Sequence, residues 1–295
     1  MNGTLASGAS RAAVRKKSAR PVSDVSAIAA SAVECLLLEL ETWPKPGLVS
    51  HVDSGSHEDM NADTFRVSAT TLAPYFLVLA DAGAQGCTMD ELRIIGLDAE
   101  AAMFAATEGV NTHRGAIFGM GLLCAAAGAR ASGRVDSAWS LGEVVSRLWK
   151  EGILDGPVLL HSHGSGARLR FGAGGARMEA AQGFPSVYEV GLPALRSAAR
   201  RARGNPEAAR VEACFALISV LEDTNLLHRA GLRGLTFARR AARRFLDEGG
   251  VGRADWRERA FRVHESFIER RLSPGGAADL LALTLFVAAH EASGQ

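Results

Sequence analysis

Apolar residues along this chain recur at helical spacing, and no run shows the strict alternation of a half-buried strand. Ile28, Val33, Leu36, Leu37 and Leu40 make one face of a segment over residues 24–42. Phe65, Leu72, Phe76 and Leu79 make another over 61–83, where Pro74 is expected to bend the helix. Thr88 and Glu91 form a capping box for a third, and Asn205-Pro206 supplies an N-cap with proline at the first helical position. Further helices are expected over 116–131, 136–150, 187–203, 232–248 and 254–271, with a last one opening near Ser273. Without βαβ alternation or an internal repeat, the fold class is all-α. The expectation is a single large domain of about ten helices over residues 23–295.

Charge removes several functions. Lys+Arg 33 against Asp+Glu 32 leaves a net charge of +1, and aromatic residues make up 6%. Neither a basic surface for phosphate backbones nor a supply of stacking rings for bases is present, so a nucleic-acid partner is not expected. Cys35, Cys87, Cys124 and Cys214 lie far apart in apolar contexts with no metal-ligand spacing. They read as reduced thiols of a cytoplasmic protein. No apolar run reaches the length of a membrane span, so no membrane partner is expected. Residues 1–22 hold Arg11, Arg15, Lys16, Lys17 and Arg20 without an acid, and read as a disordered basic tail.

Five polar interruptions cut the helical pattern, and they hold nearly all the unusual side chains. The longest, residues 161–185, is rich in glycine and carries His161, His163, Arg168, Arg170, Arg177 and Glu179. A loop of that length inside a compact domain is commonly functional or disordered. The others are PKPGLVSHVDSGSHEDM (44–60), NTHRG (111–115), EDTNLLHRAG (222–231) and SPGGAADL (273–280). Five loops of one character suggest one site assembled between helices, where helix N-termini favour anions. There is no phosphate loop, nucleophile elbow, CxxC pair or EF-hand. Residue chemistry alone reaches an α-helical protein that binds a polyphosphate, with Mg²⁺ on Asp59, Glu179 and Asp223. Each of those carboxylates also reads as a helix cap or an arginine partner.

The same five stretches, in this order, resemble the triphosphoribosyl-dephospho-coenzyme A synthase family, which serves malonate decarboxylase or citrate lyase. The resemblance rests on PKPGLV (44–49) with HEDM (57–60), THRG (112–115), SHG (162–164) with GAR (175–177), EA (179–180) and GFP (183–185), DTNLLHR (223–229) and SPGG (273–276) with ADL (278–280). It implies a transferase that moves the triphosphoribosyl group of ATP to the ribose 2′-hydroxyl of 3′-dephospho-CoA, releasing adenine. The product would pass to a prosthetic-group transferase and an acyl carrier protein. Asp59, Glu179 and Asp223 would share metal binding, proton acceptance and stabilisation of the ribosyl cation, in roles the sequence does not distribute. Lys45, Arg114, Arg177 and Arg229 would hold the triphosphate, and His57, His113 and His228 would protonate adenine or touch phosphate. His163 and Asn225 complete the expected substrate set. An α(1″→2′) linkage implies single displacement with inversion. The alternatives are a Mg²⁺-dependent helical hydrolase of nucleotides or ADP-ribosyl groups, and a nucleotide-binding regulatory module. Amphipathic helices also allow a homodimer, though nothing reads as a coiled-coil seam.

Overall fold

The computed structural model describes residues 22–156, 175–202 and 204–291. Of the expected tail only Val22 falls among them, and residues 161–174 of the glycine-rich stretch, His163 included, lie outside. The described residues form eleven α-helices and no strand. They are α1 (Val22–Leu40), α2 (Ala62–Gln85), α3 (Met89–Ala106), α4 (Arg114–Ala131), α5 (Leu141–Asp155) and α6 (Gly175–Ala181). After them come α7 (Leu192–Arg201), α8 (Pro206–Val220), α9 (Thr224–Asp247), α10 (Trp256–Glu269) and α11 (Gly275–His290).

Two helices, α4 and α8, are buried almost from end to end. Around α4 lie α1, α2, α3, α5 and α11; around α8 lie α7, α9 and α11. Because α11 touches both, the core is continuous. A helix as rich in Gly and Ala as α4 has modest intrinsic stability, and its packing explains the composition. A Cβ on Gly128 would stand 1.9 Å from the Ala80 carbonyl oxygen, and one on Gly83 would stand 1.9 Å from that of Ala125. The backbones of α2 and α4 therefore meet directly.

Several helix boundaries differ from the sequence reading, for local reasons. The helix expected from Asp136 starts at Leu141, because Ser140 and Glu143 close a reciprocal capping box while Asp136 accepts from the Ala138 amide in the turn before it. The end of the glycine-rich stretch is helical as α6, and Phe184 follows it buried at φ 62°. The helix expected over 187–203 opens with a π-helical turn, Ser186–Gly191, before α7. Within residues 221–231 the chain is already helical from Thr224, and α9 kinks at Gly231, with φ 60° and ψ −160°, so that the helix expected from Leu232 is its second part. Pro74 sits inside an unbroken α2. By length and composition, and contrary to the hydropathy expectation, α2 is also apolar enough to cross a membrane; in the fold it packs along α1, α3 and α4.

Candidate active site

The N-termini of α4, α9 and α11 open on one cavity of about 840 Å³, bordered also by α6 and the loop between α1 and α2. Its wall includes nine residues expected from the sequence: Asp59, Glu179, Asp223, His57, His113, Arg114, Arg177, Asn225 and Arg229. Two others are elsewhere. His228 is exposed on α9 and does not line the cavity. Lys45 is fully buried behind the wall, its Nζ donating to the Glu39 carboxylate and, at 2.7 Å, to the Glu39 carbonyl oxygen. The whole 44–50 run is buried, so its own loop keeps this lysine off the cavity wall.

Three carboxyl groups line the cavity, of which Asp223 and Glu39 are buried and Asp279 is half-buried. Asp223 caps two helices at once. Its Oδ1 accepts from the amides of Asn225 (2.9 Å) and Leu226 (3.2 Å) at the head of α9. Its Oδ2 accepts from Ala277 (3.1 Å), and the Gly276 amide adds another bond, at the head of α11, where Pro274 provides no side-chain cap. A Cβ on Gly276 would lie 3.0 Å from that oxygen, so the glycine permits the approach. Burial outweighs these four amides and pushes the Asp223 carboxyl from its ordinary 3.8 up to about 6. Asp279, on α11, does for α4 what His113 does not: it accepts from the Ala116 amide. A Cβ on Gly115 would fall 2.0 Å from its Oδ2. The third acid is Glu39, in the last turn of α1; burial raises its carboxyl and the Lys45 ammonium pulls it back. At three helix N-termini, where the sequence reading expects anions, the protein's own carboxylates thus occupy amides.

The cations of the wall are more exposed. Arg114 is paired with Glu100 at 2.9 Å, and the Arg229 guanidinium lies 3.3 Å from His57 Nδ1. His57 Nε2 sits 2.8 Å from Ser273 Oγ, and burial followed by the nearby Arg229 lowers its pKa. Burial, with Lys45 adding to it, lowers His113 to about 3, and its Nδ1 is 2.7 Å from Ser68 Oγ. Both shifts favour the neutral imidazole, which suits contact with phosphate or a hydrogen bond better than donation of a proton to adenine.

Asp59 is exposed, 3.5 Å from His57 Nδ1. Glu179 is more constrained: Oε1 accepts from the Ser186 amide at 2.7 Å and Oε2 from its hydroxyl at 3.0 Å, while burial raises its carboxyl. Among the described residues no group of three or more His, Cys, Asp and Glu is arranged to hold a metal. Asp59, Glu179 and Asp223 share the cavity wall, and the oxygens of the last two also accept hydrogen bonds, which leaves lone pairs for a cation. Sequence reasoning missed Glu39, Glu100 and Asp279, all on the wall. The available signals were an acid inside the apolar run LLLEL and the aspartate of the ADL stretch.

A second groove of about 990 Å³ runs between α9 and α10, lined by Arg233, Arg240, Arg244, Arg259, Arg262 and Arg270 against a single acid, Glu248. It holds none of the expected site residues. On α9 alone there are six arginines and one aspartate.

Residues 25–295 match the family described as ATP:dephospho-CoA triphosphoribosyl transferase. A relative from Stutzerimonas stutzeri, named as a probable 2-(5″-triphosphoribosyl)-3′-dephosphocoenzyme-A synthase, is 43% identical over 264 residues, 87% of this chain and 89% of its own. A relative of the same name from Pseudomonas paraeruginosa is 40% identical over 283 residues, covering 93% and 94%. No solved structure matches. The motifs that frame the cavity are spread through the matched span, and the chain belongs to the ATP:dephospho-CoA triphosphoribosyl transferase family.

Proposed function

We propose that this cavity is where the chain moves the triphosphoribosyl group of ATP onto the ribose 2′-hydroxyl of 3′-dephospho-CoA, with release of adenine. The activity is that of the family, and one observation carries its location: buried and half-buried acids share one cavity wall with more exposed cations. A donor with a triphosphate at one end and a reacting sugar at the other matches that polarity. Arg114, Arg177 and Arg229 hold the triphosphate. Mg²⁺ enters on the nucleotide as part of the substrate, and Asp59, exposed at the wall, meets it. Asp223, fixed by four amides, faces the positive charge that builds on C1″ as the glycosidic bond breaks. No side chain stands out as a covalent nucleophile, so displacement is single and the product is α-linked. The reaction runs in the cytoplasm, and its product goes to a transferase that loads the acyl carrier subunit of malonate decarboxylase or citrate lyase.

The test is adenine release, followed by chromatography. Purified protein with ATP, Mg²⁺ and 3′-dephospho-CoA should release adenine in proportion to acceptor, and chelation by EDTA should stop it. Release without acceptor would identify a hydrolase; none at all would leave a binding module. An NMR spectrum showing a β-linked product would overturn single displacement.

A further inference from the structure

The departing adenine needs a proton, and the surroundings of both histidines on the wall disfavour their charged forms. We propose that Asp279 is the catalytic acid, donating its carboxyl proton to adenine as the C1″–N9 bond breaks. This rests on the transferase reading and names a residue for one of its steps.

The geometry is specific. Asp279 lines the cavity from the first turns of α11, so close to α4 that a Cβ on residue 115 would displace its carboxylate. One hydrogen bond, from the Ala116 amide, fixes the carboxyl. Glu39 faces it from α1 and Asp223 from the head of α9, two acids whose charges oppose its ionisation. Lys45, behind Glu39, is engaged by that glutamate. Burial is the first cause, and the two carboxylates the next, that push Asp279 well above its ordinary 3.8. A carboxyl group that resists ionisation beside other acids is the arrangement by which paired acids divide the acid and base roles. The transfers balance. The electron pair of the C1″–N9 bond leaves with adenine, which takes the Asp279 proton. The 2′-oxygen bonds to C1″ and its proton passes to Glu39, so the carboxyl set ends with as many protons as it began.

Asp279→Asn keeps an acceptor for the Ala116 amide, and thermal melting shows whether the fold survives. Two donors then separate the roles: ATP, and the 5-triphosphate of β-4-nitrophenyl riboside, whose phenolate departs without a proton. The expected result is a loss of at least about a hundredfold with ATP, a usual scale for one proton-transfer group, and at most about tenfold with the nitrophenyl donor. In the wild-type protein, kcat/KM for ATP should fall at high pH along a limb that the nitrophenyl donor lacks. Equal losses with both donors, retained turnover on ATP, or identical pH limbs would overturn the assignment while the transferase reading stands. If wild-type protein releases no adenine from ATP and acceptor, the transferase reading itself fails.

Discussion

Adding one methyl group at Gly128 should cost stability, while the same change at Gly96 should not. On α4, the Gly128 Cβ would stand 1.9 Å from the Ala80 carbonyl oxygen; on α3, a Gly96 Cβ meets nothing within 4 Å. A carbon and a carbonyl oxygen in the closest contacts that proteins make sit about 3.3–3.6 Å apart. The α2–α4 seam must therefore open by more than about 1 Å, or α4 must rotate, in a region packed on every side. Overpacking of this kind costs about 1–3 kcal/mol. The gain in helix propensity of up to about 1 kcal/mol offsets only part of it. Gly96→Ala receives that propensity gain with no clash and should stabilise by about 0.5–1 kcal/mol. Gly83→Ala presses on the same seam from the other helix, 1.9 Å from the Ala125 oxygen. Once one methyl has parted the helices, the second meets less resistance, so the double variant should lose less than the sum of the singles by at least about 0.5 kcal/mol. Urea unfolding followed by far-ultraviolet circular dichroism measures all four. A Gly128→Ala protein as stable as wild type, or additive singles, would refute direct backbone contact between α2 and α4.

Three further outcomes are expected. The folded-state pKa of Asp223, about 6, lies above its ordinary 3.8, so its contribution to stability is fully present below that lower value and is lost as pH rises through about 6. The swing is on the order of 3 kcal/mol; urea midpoints of wild type minus Asp223→Asn should show it between pH 4 and 7, and a flat difference would contradict it. Lys45→Met leaves Glu39 without its buried partner and should destabilise by about 3–5 kcal/mol, with Glu39→Gln in the same chain restoring part of the loss; no restoration on melting would mean that the pair is not coupled. Arg177→Ala should weaken ATP binding about tenfold, the scale of one exposed charge-assisted contact, with less effect on 3′-dephospho-CoA; calorimetric titration that finds equal losses would point instead to collapse of the wall around α6.

Signals confined to one turn of chain were readable without coordinates. Thr88 with Glu91, and Asn205 before Pro206, cap the helices they were expected to cap. Ser140 with Glu143 carries the same signature and sets the helix start at Leu141, five residues beyond the Asp136 start expected from the sequence. What sequence could not supply is pairing between distant segments. Lys45 has the chemistry of a phosphate ligand, yet the loop that holds it turns inward and spends it on Glu39. Asp279 looks like an ordinary residue near a helix start, and only the fold brings it against Gly115, where it caps another helix. The motif glycines at 115 and 276 mark places where an aspartate from elsewhere comes close. Helix N-termini were expected to favour anions, and sequence could not show that those at α4 and α11 draw them from carboxylates remote in the chain.

The arginines of α9 have a consequence for how the protein behaves in solution. Six positive charges and one negative on a single helix, in a chain whose net charge is only +1, leave the remainder of the molecule net negative. Such a molecule is an electric dipole, and its behaviour at a distance is governed by orientation more than by total charge. It should bind a cation-exchange resin at a pH where its net charge predicts no retention. Arg229, on the same helix, opens on the cavity, so an approaching polyanion such as ATP is drawn towards that side before any contact forms. At about 0.15 M salt the field reaches roughly 8 Å from the surface. Substrate capture should accordingly slow with ionic strength more steeply than a nearly neutral protein would suggest.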